Sequence, residues 1–256
     1  MTGARDPEAT SSPSFAPLLV ACSGGLDSTV LLHRLRFGGG AGDELAGLPV
    51  EPAGGATPES WLHVAHVDHR MRSDSAGDAS WVRGVCRAWS VPCTDVVLLH
   101  PPASEAAARA ERWHVLEQIA DAVGAYFIVT AHHRDDQIET VLHHLLRGTG
   151  LRGLGGMHVR EGRRVRPLID WPRSRLRDYA LRHGLSWRDD ATNLDRTFTR
   201  NRLRHDVLPL LEEVVPGAGN ALVRAASHAR ADESALRDAS ARLLAPMVVE
   251  ADASQP

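Results

Sequence analysis

The sequence predicts an α/β fold: a parallel sheet with crossover helices, followed by a small helical appendage. Three observations carry the prediction. A β-rich run, Leu18-Leu19-Val20-Ala21-Cys22, meets a glycine turn, Ser23-Gly24-Gly25-Leu26-Asp27-Ser28, and Thr29-Val30-Leu31-Leu32 then opens a helix. Apolar runs of strand length alternate with helical stretches of roughly 10–20 residues, the pattern of βαβ units. Tyr126–Thr130 is β-rich throughout rather than alternating, as befits a strand buried on both faces.

In order, the elements are a strand over 17–22 and a helix over 28–36, then a strand over 61–67 and a helix over 75–90. The latter helix places Ala79, Val82, Val85, Cys86 and Trp89 on one face at spacings of three and four. A strand over 94–99 precedes a helix over 104–123, for which Ser104 is the expected N-cap. The strand 126–130 leads to a helix over 135–146. A short apolar piece over 165–169, a helix over 173–183 and an alanine-rich helical end from about 203 complete the chain. The Gly/Pro/Ala/Glu-rich stretch 38–60 has neither period and reads as a flexible surface insertion.

The domain organisation expected is a disordered leader at 1–15, a catalytic domain at 16–205 and a helical appendage at 206–256, either a compact variant or one whose tail is missing. The leader is polar, with no signal-peptide core, and no apolar stretch approaches membrane-spanning length. Three cysteines, Cys22, Cys86 and Cys93, with no C-x-x-C pair, fit a reducing cytoplasm and buried thiols. The net charge of −3 is unevenly spread: residues 160–204 hold 13 arginines against 6 acids. Such a segment is a candidate footprint on a phosphate backbone. The alternative is a solvated surface in a chain with no lysine at all, whose 29 Lys-plus-Arg residues are all arginine.

Four constellations carry chemistry. The turn Ser23–Ser28 combines two glycines, two hydroxyls and a helix N-terminus, which together suit an anion, above all a phosphate. It lacks the lysine of the Walker loop G-x-x-x-x-G-K-S/T, and a plain strand-to-helix connection is the bland alternative. His66-Val67-Asp68-His69-Arg70 stands at a strand end, where ligands of parallel sheets bind, or else is a polar loop capping the next helix. His132, His133, Asp135 and Asp136 follow the fourth strand. One aspartate can cap the helix; both, with two histidines, point to a site, and the carboxylates suit Mg2+ better than zinc. His143 and His144, on the same helix, read as structural. Arg109 and Arg112 share a helix face and can grip phosphate, or form an exposed salt-bridged face.

These residues resemble a known family. The S-G-G-x-D-S loop is similar to that of the N-type ATP pyrophosphatases, the PP-loop superfamily. The further blocks resemble its tRNA(Ile)-lysidine synthetase family: His66–His69, Ala107-Ala108-Arg109 to Arg112, Thr130–Thr140, Arg147–Leu154, Arg166-Pro167-Leu168, Asp190 with Thr192 and Asn193, and Arg200-Asn201 with Arg204 and Pro209. Together they cover roughly residues 16–215. The resemblance implies an adenine nucleotide alpha-hydrolase-like, Rossmann-like domain. It also implies that ATP adenylates the wobble cytidine of a CAU-anticodon tRNA(Ile) and that L-lysine displaces AMP. Carried over, Ser23, Gly24, Gly25, Leu26, Asp27, Ser28, Arg109 and Arg112 would hold ATP. Asp27, His132, Asp135, Asp136 and Arg204 would be catalytic, with Asp27 and Asp136 on Mg2+. His66, Asp68, His133, Arg147, Arg152, Arg200 and Asn201 would meet tRNA or substrate. Homodimers and a cytoplasmic location go with the family. Trp113 stands where many members carry tyrosine. The alternatives are a PP-loop tRNA-thiolating enzyme, disfavoured by the missing cysteine pair, and a non-catalytic nucleotide- or RNA-binding module.

Overall fold

The computed structural model describes residues 17–38, 45–48, 61–68, 75–98, 105–189 and 195–252. The leader, most of the expected insertion, His69, Arg70, Ser104, and Asp190 to Asn193 lie outside the described residues. In chain order the elements are β1 (Leu18–Ala21), α1 (Leu26–Phe37), β2 (Leu62–Asp68), α2 (Ser75–Ala88), β3 (Cys93–Val97), α3 (Glu105–Ala122), β4 (Phe127–Val129), α4 (Arg134–Leu146), α5 (Leu151–Leu154), β5 (Arg160–Glu161), β6 (Arg164–Val165), α6 (Arg173–Arg182), α7 (Thr199–Arg202), α8 (Leu208–Val214) and α9 (Ala218–Asp252), with a π-helical turn at Leu203–Val207. The chain divides into two compact units: residues 1–131, 159–168 and 174–189, and residues 132–158, 169–173 and 190–256.

The first unit is built on a six-stranded sheet in the order β3-β2-β1-β4-β6-β5, parallel except for β5. The predicted parallel α/β architecture is thus observed, with an antiparallel edge that the sequence did not announce. β1 and β4 are central and buried on both faces, which is why they read as continuous apolar runs. Side chains alternate between faces. Leu19 of β1, Ala65 of β2 and Ile128 of β4 point to one side, where Trp113, Leu116, Ile119 and Ala120 of α3 cover them. Leu18, Val20, Val64, Phe127 and Val129 alternate with these and are also buried. The order reverses direction between β1 and β4, the switch point at whose carboxyl end parallel sheets bind ligands. The glycine turn follows β1 directly.

The second unit is helical. α9 packs along α4 and α5, with Ala226 and Ala229 buried and Arg230 donating to the Gly155 carbonyl. Glu212 caps the start of α9, its two oxygens accepting from Gly217 N–H at 2.7 Å and Gly219 N–H at 2.8 Å. Gln137 of α4 exchanges two hydrogen bonds with the Met157 backbone, 2.9 and 2.7 Å, and holds the loop after α5. The π turn has a visible cause. Pro209 has no N–H and its ring crowds the carbonyl four residues back, so the helix widens there. Accordingly Leu208 N–H bonds to Leu203 O, five residues back.

Candidate active site

The loop after β1 is shaped by its glycines. Gly24 has φ +86°, a left-handed conformation, and a Cβ there would stand 3.3 Å from both Trp81 and Val82 of α2. Gly25 is the N-cap of α1 and offers no side chain to its first-turn amides. Those N–H groups, with the positive end of α1, have the chemistry of an anion seat. The hydroxyls bond one another and the loop: Ser23 Oγ lies 3.3 Å from Ser28 Oγ, Ser28 Oγ donates to Gly25 O at 3.1 Å, and Thr29 Oγ1 donates to the same carbonyl at 2.9 Å. Cys22 Sγ points at Ser28 Oγ, and burial pushes its thiol pKa up, so it is a packing thiol.

The first unit also holds several other expected residues. His66 is buried and its Nδ1 donates to the Cys22 carbonyl at 2.9 Å, bracing the end of β1 against β2. Asp68 is buried at the end of β2. Arg109 and Arg112 are both exposed on α3. Trp113, the departure from the family pattern, lies in the core, with the Arg164 guanidinium 4.0 Å from its ring centroid. The backbone of Arg188 also joins the loop, its N–H donating to Gly24 O at 2.9 Å.

The second unit gathers the aspartates. His133 is the N-cap of α4, its Nδ1 accepting from Asp135 N–H at 3.2 Å, while Asp136 Oδ2 accepts from His133 N–H at 2.9 Å. The cap is thus a histidine, and Asp136 only reciprocates. Asp136 Oδ1 also accepts from Arg200 Nη2 at 2.8 Å and Arg204 Nη2 at 3.3 Å. The same two arginines fork Glu139, Arg200 Nε on Oε2 at 2.6 Å and Arg204 Nε on Oε1 at 2.5 Å. Burial works against the charged form of Asp136, yet His133, Arg200 and His132 outweigh it and hold its pKa below the usual carboxylate range. Asp135 is likewise opposed by burial, but His133 and the Arg173 N–H, 2.9 Å from Oδ2, draw its pKa down to about 2. Arg147 and Arg152 are exposed at the end of α4 and on α5. Asn201 is buried and donates to Asp195 O at 2.8 Å, which ties down the segment entering α7. His144 Nδ1 donates to Gly153 O at 2.7 Å, a structural role as expected.

The sequence model of the PP-loop domain matches residues 7–211, most of the chain. The chain belongs to the PP-loop family. Among relatives of this PP-loop protein, the tRNA(Ile)-lysidine synthase of Pseudomonas fluorescens is 40% identical over 217 residues, covering 82% of the chain and 45% of the relative. That of Gloeobacter violaceus is 41% identical over 206 residues, 78% of the chain and 58% of the relative. That of a Thermotoga species is 36% identical, covering 82% and 49%. The chain therefore spans about half the length of the curated relatives it matches. A solved U34-tRNA thiolase of Methanococcus maripaludis, with its 4Fe-4S cluster, shares the fold: TM-score 0.62, 16% identity, 83% of this chain and 71% of that one.

Among the described residues of the PP-loop protein no three His, Cys, Asp or Glu side chains gather as a ready-made metal cage. Asp27, a hard oxygen donor in the first turn of α1 beside the anion seat, has the chemistry for Mg2+, which takes one or two carboxylates and completes its shell with phosphates and water. Two residues escaped the sequence reading. Glu139 is the buried centre of the arginine pair; its spacing of three from Asp136 on a helix was the available signal. Arg188 had no such signal, because only folding brings residues 185–189 to the loop.

Proposed function

We propose that the chain joins L-lysine to C2 of the wobble cytidine in a CAU-anticodon tRNA(Ile), forming lysidine at the expense of ATP. The observation that carries the nucleotide half is the uncapped first turn of α1 beside Ser23 and Ser28. The names of the relatives support the lysine and tRNA half. In the reaction the cytidine O2 attacks the α-phosphate and the bond to the β-phosphate breaks, releasing pyrophosphate. The lysine amine then forms a bond to C2, AMP leaves with the oxygen, and the amine loses a proton. The amides of Leu26, Asp27 and Ser28 and the two hydroxyls stabilise charge growing on the departing pyrophosphate. Mg2+, held by Asp27, would neutralise phosphate charge.

Other residues take roles that their chemistry supports. Arg109 and Arg112 bind phosphate, and Arg200 and Arg204 contact the adenylate or the tRNA. Asp135 and Asp136, held ionised, attract the lysine ammonium, and His132 positions the base or moves the proton. His66, Asp68, His133 and Asn201 support these groups from buried positions, and Arg147 and Arg152 meet the RNA backbone. Among the described residues no helix is long and apolar enough to cross a membrane. The reaction belongs in the cytoplasm with its tRNA, and a homodimer would appear as twice the chain mass by light scattering.

The test is incubation with ATP, Mg2+, radiolabelled lysine and unmodified CAU-anticodon tRNA(Ile). Label entering the tRNA only when ATP is present, with AMP and pyrophosphate released, is the expected result. No lysine-dependent label at any protein concentration overturns the reading.

A further inference from the structure

The loop Ser23–Ser28 offers an anion neutral amides and hydroxyls, and its one acidic side chain, Asp27, has the wrong sign for phosphate. An arginine from another part of the first unit reaches the loop through its backbone. Residues 185–189 run past it: Arg188 N–H donates to Gly24 O at 2.9 Å, and Arg188 O lies 3.8 Å from where a Cβ on Gly25 would stand. The Arg188 side chain turns to the first turn of α2. Its Nε donates to Asp78 Oδ1 at 2.9 Å, and Nη2 lies 3.4 Å from the Cβ position of Gly77. Trp81 and Val82, on the next turn of α2, rest on Gly24. Two successive turns of one helix thus hold the guanidinium and pack the loop whose backbone Arg188 bonds. The anchor is buried and the cation is open: the side chains of Asp78 and Arg188 are 8% and 41% exposed.

We propose that Arg188 is the cation of the pyrophosphate site, shared between Asp78 and the terminal phosphates of a bound nucleotide. With Nε on Asp78, the Nη1–Nη2 edge of the planar fork is the one that meets phosphate oxygens. Asp78 keeps the guanidinium in place before the anion arrives, so little side-chain order is lost on binding. The assignment rests on the reading of Ser23–Ser28 as an ATP site.

The side chain is separable from the backbone strap, because any residue but proline keeps the N–H that bonds to Gly24. Calorimetry with inorganic pyrophosphate, ATP and adenosine as separate probes, on the intact chain, tests the proposal. Arg188→Ala should weaken pyrophosphate and ATP by roughly tenfold to a hundredfold, as loss of charge-assisted hydrogen bonds does, and leave adenosine unchanged. Arg188→Lys should recover part of the loss. If Arg188→Ala does not fold, Arg188→Gln, which removes the charge but keeps the length, carries the same comparison. A variant that binds pyrophosphate within about twofold of the parent, or that loses adenosine as much as pyrophosphate, overturns the assignment. A parent protein that binds neither ATP nor pyrophosphate overturns the reading of the loop as well.

Discussion

Gly24 shows how much one residue decides. Its φ of +86° excludes an ordinary L-residue, and Trp81 and Val82 at 3.3 Å close the space a methyl would need. Alanine at a positive φ loses more than the roughly 1 kcal/mol that reduced unfolded-state freedom returns. Gly24→Ala should therefore lower the thermal midpoint and abolish pyrophosphate binding, because the loop must shift to accept the methyl. Retained binding by calorimetry would show that the loop does not depend on this conformation. Asp135 is a second residue whose environment makes a prediction. Its folded pKa, about 2, is below the ordinary carboxylate value of about 3.9. A depressed carboxylate stabilises the fold above its unfolded pKa and ceases to do so as pH falls through the folded one. Urea unfolding of the parent and Asp135→Asn should show a constant stability gap above about pH 5 that closes between about pH 4 and pH 2. A gap that does not change with pH would mean the carboxylate charge is not what holds Arg173.

The elements were legible where their periods were long. α2 buries Ala79, Val82 and Cys86 as its three-and-four spacing requires, with Val85 half-buried and Trp89 half-buried just past its end, and β1 and β4 are the central strands that their unbroken apolar runs announced. The β5–β6 hairpin was not legible, since two residues per strand give no period and pairing with β4 alone makes them strands. The start of α4 was half legible: two aspartates marked a cap, but the N-cap is His133, a choice that only the reciprocal bond from Asp136 explains. Glu139 was hidden for a similar reason. It stood in the quoted motif, but its importance depends on α7 and the π turn, some sixty residues later in the chain, delivering Arg200 and Arg204 to it. With its side chain 1% exposed between two guanidiniums, Glu139 holds the start of the C-terminal helices to α4. Removing one member of a buried ionic group costs about 3 kcal/mol or more. Glu139→Gln should lower the unfolding free energy by that amount, seen as a lower urea midpoint at unchanged slope, and a loss under about 1 kcal/mol would place the cluster with solvent-screened pairs.

At the scale of the whole molecule the charge map changes meaning. The excess of arginine over residues 160–204 suggested a phosphate footprint, yet part of it is paired with acids of the chain itself, some of these pairs lying at the surface. Arg163 pairs with Asp121, Arg164 with Glu117, Arg188 with Asp78, Arg196 with Asp206, and Arg200 and Arg204 with Asp136 and Glu139. All these acids lie outside the segment, so a local excess in sequence becomes neutral pairs in space. Arg188, Arg200 and Arg204 keep their proposed roles towards phosphate and substrate, and the other arginines that can serve RNA are exposed ones, Arg177 on α6 and Arg202 on α7 among them. Each arginine that neutralises a phosphate contributes roughly 0.7–0.9 to the slope of log affinity against log salt. Filter binding of unmodified CAU-anticodon tRNA across a salt series separates the two groups. Arg177→Gln should flatten the slope by about that amount. Arg164→Gln should leave it unchanged, because that guanidinium is held by Glu117 at 2.7 Å and stacked on Trp113. If Arg164→Gln flattens the slope as much as Arg177→Gln does, the internal pairs open on the RNA and the segment acts as one basic surface after all.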